Sequence, residues 1–98
     1  MAVSDALRAQ IADDLARAEA TAVGIAPPTA SHPDLDVVDA YEIQLINIRK
    51  RLDAGAKVAG HKVGATNPAV QRALGMPHPI GGAVFASTVH ENGARVRH

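Results

Sequence analysis

The sequence predicts an α+β fold, and three observations carry that expectation. Apolar residues recur at helical spacing twice in the first half of the chain. A run bounded by glycines, from Val58 to Gly64, has the length and composition of a strand. Beyond it, prolines, glycines and an Asn-Gly pair divide the chain into pieces too short for long helices.

The first helix is expected over about residues 5–21. Ser4 is a good N-cap, Asp5 puts negative charge where the helix dipole favours it, and Leu7, Ile11, Leu15 and Ala18 recur every three or four residues. Gly24 is the expected stop. Gly24 to Asp34 holds Pro27, Pro28 and Pro33 and is expected to be an ordered loop. A second helix is expected over about 37–53, capped by Asp36 and ended by Gly55, with Arg49, Lys50 and Arg51 complementing the dipole in its last turns. Its stripe is Val38, Tyr41, Leu45, Ile48 and Leu52, and Ile43 and Ile46 widen it. Such a wide apolar face predicts contacts on two sides.

A strand follows over about 57–64. Asn67-Pro68 then starts a brief helix, about 68–74, which Gly75 ends. Met76 to Gly82 leaves little room for regular structure. Further strands are expected over about 83–86, 88–90 and 94–97, the last two joined in a hairpin by Glu91-Asn92-Gly93. The chain stops at His98, inside that expected strand. With the wide-faced helix, this predicts the front part of a larger protein.

Composition narrows the function. A chain of 98 residues is one small domain at most. Ten basic residues balance ten acidic ones, so no clustered charge supports binding to nucleic acid or an anionic membrane. At 2% aromatics, the chain offers no platform for stacking bases. The absence of cysteine excludes disulfides, thiolate metal sites and a cysteine nucleophile. No long apolar run suggests a signal peptide or membrane span, and the cytoplasm is the expected compartment.

Lys62 is the residue most expected to touch a substrate. Side chains alternate across a strand, so Gly60, Lys62 and Gly64 share one face, and Ala59, His61 and Val63 the other. A lysine between two glycines has empty space beside it, where a small anion fits against the ammonium. The spacing equally admits a surface lysine on an edge strand. A phosphate loop is excluded. Gly55 and Gly60 have the right separation, but His61 precedes Lys62 and Val63 stands in place of the hydroxyl residue.

His32, His61, His78, His90 and His98 show no metal-ligand spacing. His61 is expected to be a partly buried, hydrogen-bonded structural histidine and His78 to be exposed. Asp34, Asp36, Asp39 and Glu42 are expected to serve as cap and helix-surface charge. No carboxylate pair is placed to hold a metal near Lys62, because Glu91 is the only carboxylate side chain after it.

The runs Asp39-Ala40-Tyr41-Glu42-Ile43-Gln44, Val58 to Thr66 (with Gly60-His61-Lys62-Val63-Gly64 inside it) and Gln71 to Gly75 resemble the N-terminal part of 2-keto-4-pentenoate hydratases. Ile25-Ala26-Pro27 and His32-Pro33-Asp34-Leu35 are similar to that family too. These enzymes and the related 4-oxalocrotonate decarboxylases belong to the fumarylacetoacetate hydrolase superfamily. The resemblance implies a β-rich catalytic domain beyond this chain. It implies a 2-hydroxy-2,4-dienoate or 2-oxo acid substrate from aromatic or steroid catabolism. Water addition would give a 4-hydroxy-2-oxo acid, and loss of carbon dioxide from 4-oxalocrotonate is the alternative. A magnesium or manganese ion is implied, with its carboxylate ligands beyond residue 98. Lys62 would be the active-site lysine, with Gly60, Gly64, Leu74 and Gly75 as further substrate contacts. A homo-oligomer, or a joint decarboxylase–hydratase complex, is expected. A non-catalytic interaction module is the competing reading. Many members have an acid in a P-D-[FY]-G pattern where this chain has Pro79-Ile80-Gly81-Gly82, so no acid/base role carries over to Ile80. Without the metal-binding part, the chain alone is expected to be inactive.

Overall fold

The computed structural model describes residues 3–97. The chain divides into two compact units, Met1–Ala54 and Gly55–His98, in place of the single domain that its length suggests. The first unit is helical. The second holds a two-stranded sheet and one short helix, so the α+β expectation holds.

In the helical unit, α1 spans Asp5–Thr21, α2 Pro28–Ser31 and α3 Val37–Asp53. Ser4 caps α1 as expected, its Oγ accepting from Leu7 N at 3.2 Å. The helix covers the expected residues, but its stop is not Gly24. It stops at Ala22, which takes a left-handed φ of 55° and donates its N–H to Glu19 O. The expected loop contains a turn of helix, because Pro28 sits at the first helical position, where its missing N–H costs nothing.

Contacts between α1 and α3 rise together along both helices. Arg8 meets Asp39, Ala12 meets Asn47, and Glu19 meets Arg51, so the two run in the same direction. A parallel pair needs a return path of about 25 Å for helices of this length. The Ala22–Asp36 connection supplies it. Ile11, Ala12 and Ile43 form the buried cluster, with Leu7, Leu35 and Ile46 packed around it.

Packing decides two features of α3. Its buried face carries Asp39, Ile43, Ile46 and Asn47, whereas Val38 is 59% exposed and Leu52 43% exposed. The Val38–Tyr41–Leu45–Leu52 stripe lies outside the core because α1 docks on the neighbouring stripe. Asp39 is not a surface charge. It is fully buried, with Arg8 Nε and Nη2 donating to Oδ1 at 3.0 and 2.7 Å and Asp36 N donating to Oδ2 at 3.1 Å. Asp39 N in turn donates to Asp36 Oδ1 at 2.8 Å, completing a capping box.

In the second unit, β1 spans Val58–Gly64, α4 Pro68–Leu74 and β2 Ile80–Phe85, with a 3-10 turn at Ala86–Thr88. The strands pair antiparallel, and Ala86 N donates to Lys57 O to extend the ladder. Strand β2 begins three residues before the expected 83–86. Gly81 and Gly82, expected to be loop, pair with Val63 and Lys62. The expected strands at 88–90 and 94–97 do not form. Glu91 to Ala94 is an isolated turn, closed by Ala94 N to Glu91 O at 3.0 Å, with Gly93 at φ 87°. Val89 is 60% and Val96 63% exposed, so neither flank has a packing partner, and an unsupported short hairpin is marginal in water. His98 lies outside the described residues.

Two measurements test the helical unit. Ala22→Gly relieves the left-handed strain and is expected to stabilise it by about 1 kcal/mol in thermal unfolding. The Asp36 N–H, and then the Arg8 guanidinium, hold the Asp39 carboxyl below its ordinary value of 3.8. A carboxylate with a lowered folded pKa contributes stability that is full above its unfolded value and is lost as pH falls through the folded one. Acid unfolding followed by circular dichroism should therefore lose a component below about pH 4 in Asp39→Asn. That variant should also melt at a lower temperature than the parent at neutral pH.

Candidate functional site

The register fixes what surrounds Lys62. Lys62 lies opposite Gly82, Gly64 opposite Ile80, and Gly60 opposite Val84. Directly opposed residues share a face. The lysine face therefore holds Gly60, Lys62 and Gly64 from β1 and Ile80, Gly82 and Val84 from β2. A bulge between Val58 and Gly60 makes Ala59 the extra residue, after which pairing is regular through Gly64.

Three glycines thus border Lys62. A Cβ at Gly60 would meet nothing within 4 Å. A Cβ at Gly64 would lie 3.6 Å from Lys62 Nζ and 3.4 Å from Ile80 Cγ1. The ammonium therefore folds back along the strand over Gly64, and the Ile80 side chain borders the same space. Among the described residues the Lys62 ammonium has no hydrogen bond and no ion pair. An exposed, unpaired cation on a face with little side-chain cover can receive a carboxylate.

Gly82 and Ile80 were not among the expected site residues. The signal was the Gly81-Gly82 pair, which reads as a loop until β1 is known to need a partner. His61 is exposed on the opposite face, across from Ala83, and is not the partly buried structural histidine expected from the sequence. Ring Nδ1 of His78 lies 2.8 Å from Pro79 O, close to the start of β2.

Leu74 and Gly75 stand at the end of α4. Leu74 is 60% exposed, and Gly75 caps the helix at φ 68° with its N–H on Arg72 O. Helix α4 is anchored by Gln71 Nε2, which donates to Ala65 O at 2.9 Å just past the end of β1. Ala65 itself has φ 52°, a left-handed turn that redirects the chain from β1 toward α4. Asn67 caps α4, its Oδ1 accepting from Ala69 N at 2.7 Å.

A cleft of about 550 Å³ lies in the helical unit, walled by α1 and the segment from Val23 to His32. Its charged groups are engaged within α1: Arg17 pairs with Asp13 at 2.8 Å, and Asp14 accepts from Gln10 at 3.0 Å. None of the expected site residues lines it. Among the described residues, no group of three or more His, Cys, Asp or Glu side chains could hold a metal ion. The described residues therefore do not fit the implied divalent cation. Among the described residues, no helix is long and apolar enough to cross a membrane.

No family model matches the chain. A 2-keto-4-pentenoate hydratase of Paraburkholderia xenovorans is 41% identical over 78 residues, covering 80% of this chain and 29% of that protein. A 2-hydroxypent-2,4-dienoate hydratase of Pseudomonas putida is 36% identical over 84 residues, covering 86% of this chain and 38% of that protein. The structure matches a 4-oxalocrotonate decarboxylase from Pseudomonas putida G7, complexed with magnesium and adipate, at a TM-score of 0.83 and 26% identity, covering 87% of this chain and 32% of that one. The chain is thus similar in sequence to 2-keto-4-pentenoate hydratases and in structure to a 4-oxalocrotonate decarboxylase. It spans about a third of the length of these relatives.

The site's support can be tested locally. Asn67→Ala removes the α4 cap and is expected to destabilise the second unit by about 1 kcal/mol, read by chemical denaturation.

Proposed function

We propose that this chain supplies one wall of the active site of a 2-keto-4-pentenoate hydratase, an enzyme adding water to 2-hydroxypenta-2,4-dienoate to give a 4-hydroxy-2-oxo acid in aromatic or steroid catabolism. One observation carries the reading: the unpaired Lys62 ammonium stands on a glycine-lined face in a chain similar to hydratases by sequence.

Lys62 binds and orients the substrate's carboxylate end, and its fixed positive charge favours the enolate-like charge that develops during hydration. Gly60, Gly64 and Gly82 keep the sheet low enough for a flat dienoate to approach the backbone. Leu74 and Gly75 extend the contact surface from the end of α4. A magnesium or manganese ion, when bound, would polarise the 2-oxo group. Its ligands would lie outside this chain, since no group of three or more His, Asp or Glu side chains among the described residues could hold it. The complete enzyme would be a cytoplasmic homo-oligomer.

The decarboxylase match favours a second reading, in which the same wall serves loss of carbon dioxide from 4-oxalocrotonate. A joint decarboxylase–hydratase complex would accommodate both.

A chimera tests the proposal. This chain replaces the matching segment of the Paraburkholderia xenovorans hydratase, and turnover of 2-hydroxypenta-2,4-dienoate is followed with magnesium present. The folded chimera should be active, and Lys62→Met should lower kcat by about a hundredfold. Turnover of 4-oxalocrotonate alone would favour the second reading. Full activity of the Lys62→Met chimera would overturn the role of the lysine. The 98-residue chain alone should show no turnover.

A further inference from the structure

Among the described residues, Lys62 has no carboxylate partner. The ammonium and the aliphatic side chain of Ile80 flank one space above Gly64, at 3.6 Å and 3.4 Å from the point where a Cβ would stand. A cation beside an alkyl group loses water on that side without gaining an acceptor, which favours an incoming anion. Opposite Lys62 the sheet has no side chain, because Gly82 is there. Ile80 and Val84 flank that gap on β2. The face is therefore laid out as one positive charge, a bare strip of backbone, and an apolar residue on either side.

We propose that Ile80 is a specificity-determining residue. It keeps the Lys62 ammonium free for the ligand's carboxylate and forms an apolar wall for the carbon chain behind it. The class of ligand that fits is a small 2-oxo or 2-hydroxy-enoic monocarboxylate with an apolar tail. A second carboxylate, brought against Ile80, would be desolvated with no partner there. This inference rests on the role of Lys62 proposed above.

The test uses NMR titration of the 98-residue chain with 2-oxopentanoate, read at the backbone amides of Lys62, Gly64 and Gly82. The parent should show saturable shifts at all three. Ile80→Asp places a carboxylate beside the ammonium, and an ion pair of ordinary surface strength should weaken binding about fivefold. Ile80→Asn has the same shape without the charge; it loses the apolar wall but leaves the ammonium free, and should weaken binding only about twofold. Val63→Asp, on the other face, should also leave binding unchanged. 2-Oxoadipate should bind more weakly than 2-oxopentanoate to the parent.

An Ile80→Asp variant that binds like the parent overturns the inference. So does equal loss in Ile80→Asp and Ile80→Asn, or in Ile80→Asp and Val63→Asp, or a parent without saturable shifts. Lys62→Met separates the two levels of argument. If it weakens binding while Ile80→Asp does not, only the role of Ile80 fails. If it binds like the parent, the role of Lys62 in the proposed function fails with it.

Discussion

Pairing of β1 with β2 sets the alternation on which the second unit and its site depend. In an antiparallel ladder the side-chain period is two, so a slip of one residue would send Lys62 to the other face and bring His61 in its place. The register observed puts Gly82 across from Lys62 and Ile80 across from Gly64. The bulge at Ala59 absorbs one residue before the regular pairing begins. Phe85, the one buried hydrophobic residue described in this unit, lies opposite Val58 at the far end of the ladder. The open lysine face is thus a product of register as much as of the three glycines on it.

The helical unit has a different constraint. Its buried apolar cluster is small, and a fully buried carboxylate sits beside it. Asp39 is tolerated there because Arg8 and the Asp36 N–H satisfy both of its oxygens. The same residue caps α3 and ties it to α1, so one side chain sets both where α3 begins and how it docks. Removing one partner of such a pair leaves an uncompensated charge in the interior. The Asp39 that opens the family-like D-A-Y-x-I-Q word is thereby a structural residue.

Much of the local structure was legible because it is decided locally. Ser4, Asp36 and Asn67 each satisfy an N–H at a helix start within three residues, and Gly75 takes a left-handed cap that a Cβ would resist. What failed were features whose energy comes from elsewhere in the chain. The hairpin at Asn92-Gly93 had its turn residues and no packing partner. The Gly81-Gly82 stretch had loop composition and became strand because β1 offered it a ladder. The wide face of α3 was read at the right period, but which part of it is buried was not, since periodicity does not say which of two adjacent stripes meets the neighbour.

The sequence by itself determined the long helices α1 and α3, the brief α4, their N-caps, strand β1 with its glycine–lysine–glycine face, and the resemblance to hydratases. Each of these depends on residue identity at short separation or on the order of words along the chain. Only the tertiary structure decided that Asp39 is interior, that Gly82 and Ile80 complete the surroundings of Lys62, and that its ammonium lies back over Gly64 without a partner. Those depend on which distant segment packs or pairs with which, and spacing within a single segment carries no record of that choice.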